Sequence, residues 1–173
     1  HSLQVVTHDG GTIDQWNTHG EFLECYPQVI NGDYDNDSLE EVYAFYHRND
    51  SLFLYCFEPM DTVSPIFFED KLVCILSSQY AKPDPHVFNL NFRDINGDSK
   101  EDLLFVINSG KAKFPRNLFI YDIDKDTFIN SEDYGSTLQG NGSICDIDND
   151  GKLEICGGMS AAGQVIDTLG YNY

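Results

Sequence analysis

Positive charge is the scarcest thing in this sequence. Its 173 residues include 10 lysines and arginines against 29 aspartates and glutamates, a formal charge of −19. A phosphate backbone demands a basic face, so nucleic acid is excluded as a partner. An anionic lipid surface is disfavoured for the same reason. No apolar run approaches the ~18–20 residues that span a bilayer as a helix, so membrane insertion of this segment is not expected. The residues after His1 do not form a positively charged, then apolar, leader. The five cysteines, Cys25, Cys56, Cys74, Cys145 and Cys156, are odd in number, which argues against a complete disulfide framework. None belongs to a Cys-x-x-Cys pair, so a structural zinc site has little support. Four of them lie in apolar runs and read as small buried hydrophobes. The histidines show no ligand spacing. His-Glu-x-x-His, the nucleophile elbow and the glycine-rich phosphate loop are all missing. Long stripes of 3.6-residue period are missing too, which leaves little room for helix.

Acid is abundant, and it is arranged. Asp33-Tyr-Asp35-Asn-Asp37-Ser38-Leu39-Glu40-Glu41-Val42 is one stretch. Asp94-Ile-Asn96-Gly-Asp98-Ser99-Lys100-Glu101-Asp102-Leu103 and Asp146-Ile-Asp148-Asn-Asp150-Gly151-Lys152-Leu153-Glu154-Ile155 repeat its plan. Oxygen-bearing side chains stand at loop positions 1, 3 and 5. Ser or Gly follows at 6, an acid stands at 9 and an aliphatic residue at 10. A hard dication such as Ca²⁺ takes about six to eight oxygens on a tightly curled loop, and this spacing supplies them. Positions 1, 3 and 5 offer side-chain oxygen. Position 7 (Leu39, Lys100, Lys152) offers only its backbone carbonyl. Position 9 (Glu41, Asp102, Glu154) closes the site from the start of the next strand. Three Ca²⁺ ions are therefore expected. Asn96 removes one charge from the second loop. An EF-hand would need a bidentate Glu at position 12, where Ala44, Phe105 and Gly157 stand, so that reading fails. Asp122-Ile-Asp124-Lys-Asp126 imitates the motif, but Asn130 holds its position 9 and neither Gly nor Ser follows Asp126. It reads as a polar hairpin turn.

The loops begin at residues 33, 94 and 146, a period of about 50–60 residues that suits a propeller blade better than a short solenoid repeat. Short alternating strands surround each loop. In the middle unit, His86–Phe92 leads in, Asp102–Asn108 leads out, and Asn117–Tyr121 and Thr127–Ile129 follow. In the first, 28–30 leads in and 41–46 leads out. The stretch 52–57 follows, and 67–68 and 73–76 are candidates for an outer strand. Residues 3–6, 12–16 and 20–23 read as strands with no acidic loop before them. After the third loop, 154–156 and 164–167 read as strands.

Repeated once per unit, Asp-x-Asp/Asn-x-Asp-Gly/Ser-x-x-Asp/Glu-aliphatic resembles the FG-GAP and VCBS repeats of integrin-α-like β-propellers. Gly157-Gly158 and the stretch Asp9-Gly-Gly-Thr-Ile13 with Trp16 are similar to the small residues and outer hairpins of that family. The resemblance implies an all-β fold of four-stranded propeller blades, with a calcium loop between the first and second strands of each. On that plan residues 1–25 are half a blade, 26–82 and 83–138 are blades, and 139–173 are a partial blade. About three blades are expected here, as part of a larger propeller of roughly seven. Further sequence or another chain would supply the rest.

The resemblance further implies an extracellular, cell-surface or periplasmic module that binds a protein or glycan ligand, or the sensor or adhesion region of a cell-surface protein. Two rivals stand beside it. One is the propeller portion of a carbohydrate-active enzyme such as a polysaccharide lyase. The other is a lectin-like binder whose Trp16 or Tyr80 stacks on sugar. No catalytic residue stands out, and enzymatic activity is not the leading expectation.

Overall fold

The computed structural model describes residues 2–17, 21–22, 29–35, 37–59, 61, 66–78, 85–108, 112–114, 117–131, 137–138, 143–156 and 159–160. Among these residues there are strands and no helix, the all-β class that the sequence predicts. The proposed strand at 164–167, the Gly157-Gly158 pair, Tyr80 and Cys25 lie outside the described residues.

Strands β1 (Ser2–Val6) and β2 (Thr12–Asn17) form an antiparallel hairpin with Leu3 opposite Trp16. Its turn is tied by the Gly11 amide donating to Thr7 Oγ1 at 2.9 Å. The next sheet contains β3 (Glu21–Phe22), β4 (Val29–Gly32), β5 (Glu41–Arg48), β6 (Ser51–Phe57) and β7 (Ile66–Ile75). Both β3 and β4 pair with β5, one after the other along the same edge. The sequence puts 20–23 in the leading half unit, whereas Glu21 and Phe22 pair with His47 and Tyr46 of this sheet. Pairing of β3 with β5 is a long-range choice that two residues of pattern do not encode.

The outer strand also differs from expectation. The fragment 67–68 and residues 73–75 of the fragment 73–76 belong to one ten-residue strand, β7. An irregular register near its middle hides the continuity: Leu54 faces Lys71 but Cys56 faces Phe68, so β7 carries one extra residue there. Asp70 adopts a left-handed φ of 54° at this bulge. Its carboxylate accepts from Tyr46 Oη and its amide donates back to Tyr46 Oη at 2.9 Å. A kinked, charged edge is poorly shaped for pairing with other chains.

After β8 (Ser77–Ser78), a second large sheet is built from β9 (His86–Arg93) and β10 (Asp102–Asn108). Past β11 (Ala112–Phe114), which pairs with β8, it continues with β12 (Leu118–Asp122) and β13 (Thr127–Asn130). Its order is β13-β12-β10-β9, a four-stranded antiparallel meander. Finally β14 (Thr137–Leu138) pairs with β17 (Met159–Ser160), and β15 (Ser143–Cys145) pairs with β16 (Glu154–Cys156).

The packing explains why β5 and β6 read as nearly continuous apolar runs. Successive side chains of a strand point to opposite faces. Tyr43, Phe45, Leu52, Leu54 and Cys56 face one core with Leu103, Phe105, Ile107, Phe119 and Tyr121 of the second sheet. Tyr46, Phe53, Tyr55 and Phe57 face another core with Trp16 of the hairpin. The first sheet is thus covered on both sides, and both faces need apolar residues. Phe45 and Phe105 meet with ring centroids 4.8 Å apart, and Phe105 stacks on Phe119 at 5.4 Å. Each such ring stabilises the fold by about 1.5–3 kcal/mol through burial. The sheets approach so closely at Gly32 that a Cβ there would sit 2.5 Å from the Phe92 ring. That glycine is needed for space.

Candidate metal centre

All three acidic loops occupy one place in the topology. Each joins two antiparallel neighbours: β4 to β5, β9 to β10 and β15 to β16. The residue before position 1 pairs with position 9 every time: Gly32 with Glu41, Arg93 with Asp102, Cys145 with Glu154. The sequence expectation of a loop between paired strands is met in each unit.

The same local hydrogen bonds curl each loop. The position-1 carboxylate accepts from the amides of positions 5 and 6. For Asp33 these are Asp37 at 3.1 Å and Ser38 at 3.0 Å. For Asp94 they are Asp98 at 3.2 Å and Ser99 at 2.9 Å. For Asp146 they are Asp150 at 3.1 Å and Gly151 at 2.9 Å. Position 3 (Asp35, Asn96, Asp148) accepts from the same position-5 amide. Position 5 (Asp37, Asp98, Asp150) accepts from the amide of position 7. The position-9 carboxylate reaches back to the amide of position 2: Glu41 to Tyr34, Asp102 to Ile95 and Glu154 to Ile147. Short oxygen-bearing side chains are what such turns require. Position 6 is left-handed throughout, with φ of 76° at Ser38, 73° at Ser99 and 86° at Gly151.

In the first and third loops the curl gathers carboxylates. Asp33, Asp35 and Asp37 each place an oxygen within 4.8 Å of the others, and so do Asp146, Asp148 and Glu154. In the second loop Asn96 stands where the others have Asp. Its Nδ2 donates to Asp122 Oδ2 at 3.3 Å, which ties the loop to the turn between β12 and β13. The position-7 side chains differ from loop to loop. Leu39 is exposed, Lys100 Nζ pairs with Asp124, and Lys152 Nζ lies 3.2 Å from Asp150.

Position 9 is the buried member of the first two sites. Glu41 is 0 % exposed and Asp102 is 1 % exposed. One Glu41 oxygen accepts from Tyr34. The other, Oε1, is buried with no hydrogen-bond partner among the described residues. Burial, with the charges of Asp35, Asp33 and Glu58 beside it, pushes the Glu41 carboxyl up to about 7. Burial raises Asp102 too, with Asp122 and Asp98 adding to the effect. An ionised carboxylate so placed is costly unless something positive or donating meets it. The donor set consists of oxygens, and the orphaned oxygen points the same way: these residues fit a hard cation such as Ca²⁺.

The fourth acidic stretch differs in kind. Asp122, Asp124 and Asp126 lie on the β12–β13 turn, as the sequence predicts. Each faces a lysine: Lys125 at 2.6 Å from Asp122, Lys100 on Asp124 and Lys71 on Asp126. Asp126 also accepts from Tyr121 Oη at 2.7 Å. Cations of the chain's own thus stand beside all three of these acids. Glu58, just past β6, is a neighbour of the first loop that the motif does not reveal. An acid ending an apolar strand, as Asp122 also does, was the available signal.

No family model matches the chain, and neither a curated protein nor a solved structure matches it.

Proposed function

We propose that this chain is a calcium-stabilised segment of a β-propeller that works outside the cytoplasm as a recognition or scaffold module for a protein or glycan ligand. The observation that carries the calcium reading is the buried, unpartnered Oε1 of Glu41 at the mouth of a loop that already gathers three carboxylates. In this reading Asp33, Asp35, Asp37 and Glu41 hold one ion, with the Leu39 carbonyl. Asp94, Asn96, Asp98 and Asp102 hold a second with that of Lys100. Asp146, Asp148, Asp150 and Glu154 hold a third with that of Lys152. A bound dication offsets the repulsion among the loop acids and joins the first strand of each unit to the second.

The propeller reading is supported by two successive antiparallel sheets, each with its loop between equivalent strands, packed face to face through Phe45 and Phe105. Sheets stacked in this way are what neighbouring blades require. The extracellular reading is supported by chemistry: millimolar calcium fills even weak oxygen sites. The acidic surface, at −19, disfavours nucleic acid and anionic lipid as ligands.

Thermal melts in calcium and in chelator test the core of this proposal. At free calcium ~100 times the dissociation constant, each occupied site adds about 2.7 kcal/mol. Superimposable melts would overturn it.

A further inference from the structure

In the first two units an acid stands at the end of the strand after the loop's exit strand or one residue past it, Asp122 ending β12 and Glu58 following β6, and the two acids differ in what surrounds them. In the first sheet Phe57, the last residue of β6, lies opposite Val42 of β5; Glu58 comes next in the chain, and its charge acts on Glu41. In the second sheet Tyr121 of β12 lies opposite Leu103 of β10, so Asp122 stands opposite Asp102. The positions are equivalent, and both are buried: Glu58 is 6 % exposed and Asp122 is 1 % exposed.

Asp122 is fully engaged. It accepts from Lys125 Nζ at 2.6 Å, from the Lys125 amide at 3.0 Å and from Asn96 Nδ2 at 3.3 Å. Asn96 is thereby explained: an Asp there would set a second carboxylate against Asp122. Glu58 has the opposite surroundings. The charges that act on it are the carboxylates of Asp37, Asp61 and Asp35. Beside it stands the unpartnered Oε1 of Glu41. The first loop keeps Asp at position 3, where the second has Asn.

We propose that Glu58 is a fifth carboxylate of the first cation site, beside Asp33, Asp35, Asp37 and Glu41, so that this site takes calcium, and trivalent lanthanides still more, in preference to the second. The second site has three carboxylates in its loop, and its acid from the third strand is committed to Lys125 and Asn96. The inference rests on the calcium reading of the loops. It adds a ligand from outside the repeated motif and an order of affinity that the motif alone would not give.

The full chain is the test material. Asp98→Ala with Asp150→Ala leaves the first site to be titrated with calcium and with terbium. Asp37→Ala with Asp150→Ala leaves the second. In the first background Glu58→Gln is expected to weaken both ions at least tenfold, terbium more than calcium. In the second, Asp122→Asn is expected to change calcium affinity less than twofold. Melts in chelator separate a ligand from a structural residue. Removing one acid from a crowd of acids should raise the chelator melting temperature of Glu58→Gln. A structural Glu58 would give a lower one. Binding by Glu58→Gln within twofold of its parent would overturn the proposal, as would a lowered chelator melt or a tenfold loss in Asp122→Asn. A first background that takes up neither ion would instead overturn the calcium reading of that loop, and this inference with it.

Discussion

The first and second acidic loops are curled by the same backbone-to-carboxylate bonds, yet their surroundings are opposite in charge. Around the first, Glu41, Glu58 and Asp35 crowd together, and Glu41 keeps a buried oxygen without a donor. Around the second, Asn96 replaces an acid, Lys125 meets Asp122 and Lys100 meets Asp124. Local sequence sets the curl. What meets each loop's acids is set by residues from the next strands. A shared motif therefore does not imply shared surroundings.

The largest effect should come from the wall that the two loop-bearing sheets share. Phe105→Ala removes a fully buried ring lying against both Phe45 and Phe119. A loss of about 3–5 kcal/mol is expected, read from denaturant unfolding. If the sheets were independent, calcium would protect the first loop as well in this variant as in the parent. Coupled sheets should lose that protection together.

Next in size is the metal itself. Asp33→Ala removes a proposed ligand and also the acceptor that caps the Asp37 and Ser38 amides. One ion should be lost, together with about 2.7 kcal/mol of calcium-dependent stability at saturating calcium. Calorimetric titration of calcium into the variant checks it.

The pH response sharpens the comparison further. In chelator the folded Glu41 carboxyl lies at about 7, above its ordinary 4.5. A raised carboxyl binds more protons folded than unfolded, so stability falls as pH rises across that window. Chelator melts should therefore decline between about pH 4.5 and 7. Calcium, by holding the ionised form, should flatten the decline. Glu41→Gln should remove this contribution.

The smallest effect concerns position 6. Ser38 and Ser99 adopt the left-handed region, which costs a side-chain-bearing residue about 1–2 kcal/mol. Ser38→Gly and Ser99→Gly should each stabilise by up to about 1 kcal/mol, because glycine's added freedom in the unfolded chain takes back part of the gain. Gly151→Ala should destabilise by a similar amount. Chemical denaturation of the three variants checks the signs.

Much of this was legible in the sequence because the chemistry is local. Asp at positions 1, 3 and 5 bonds to amides two to five residues away, so the loops could be read from spacing alone. The strands of the second sheet were legible for the same reason, since each alternates or runs apolar between clear turns. Long-range choices were not. Nothing in Glu21-Phe22 says that it will lie beside Tyr46. The bulge at Asp70 broke the alternation of β7 and made one strand look like two. Lys71 finds Asp126 across 55 residues of sequence, and the Glu58 charge acts on Glu41 only because β6 folds back on β5.

The most direct test of the account is to count the ions bound by the full chain, by native mass spectrometry after calcium loading. Three are expected for the parent, two for each of Asp37→Ala, Asp98→Ala and Asp150→Ala, and three for Asp124→Ala, whose carboxylate already faces Lys100. A parent that retains no calcium, or an Asp124→Ala variant that loses an ion while Asp98→Ala does not, would contradict it.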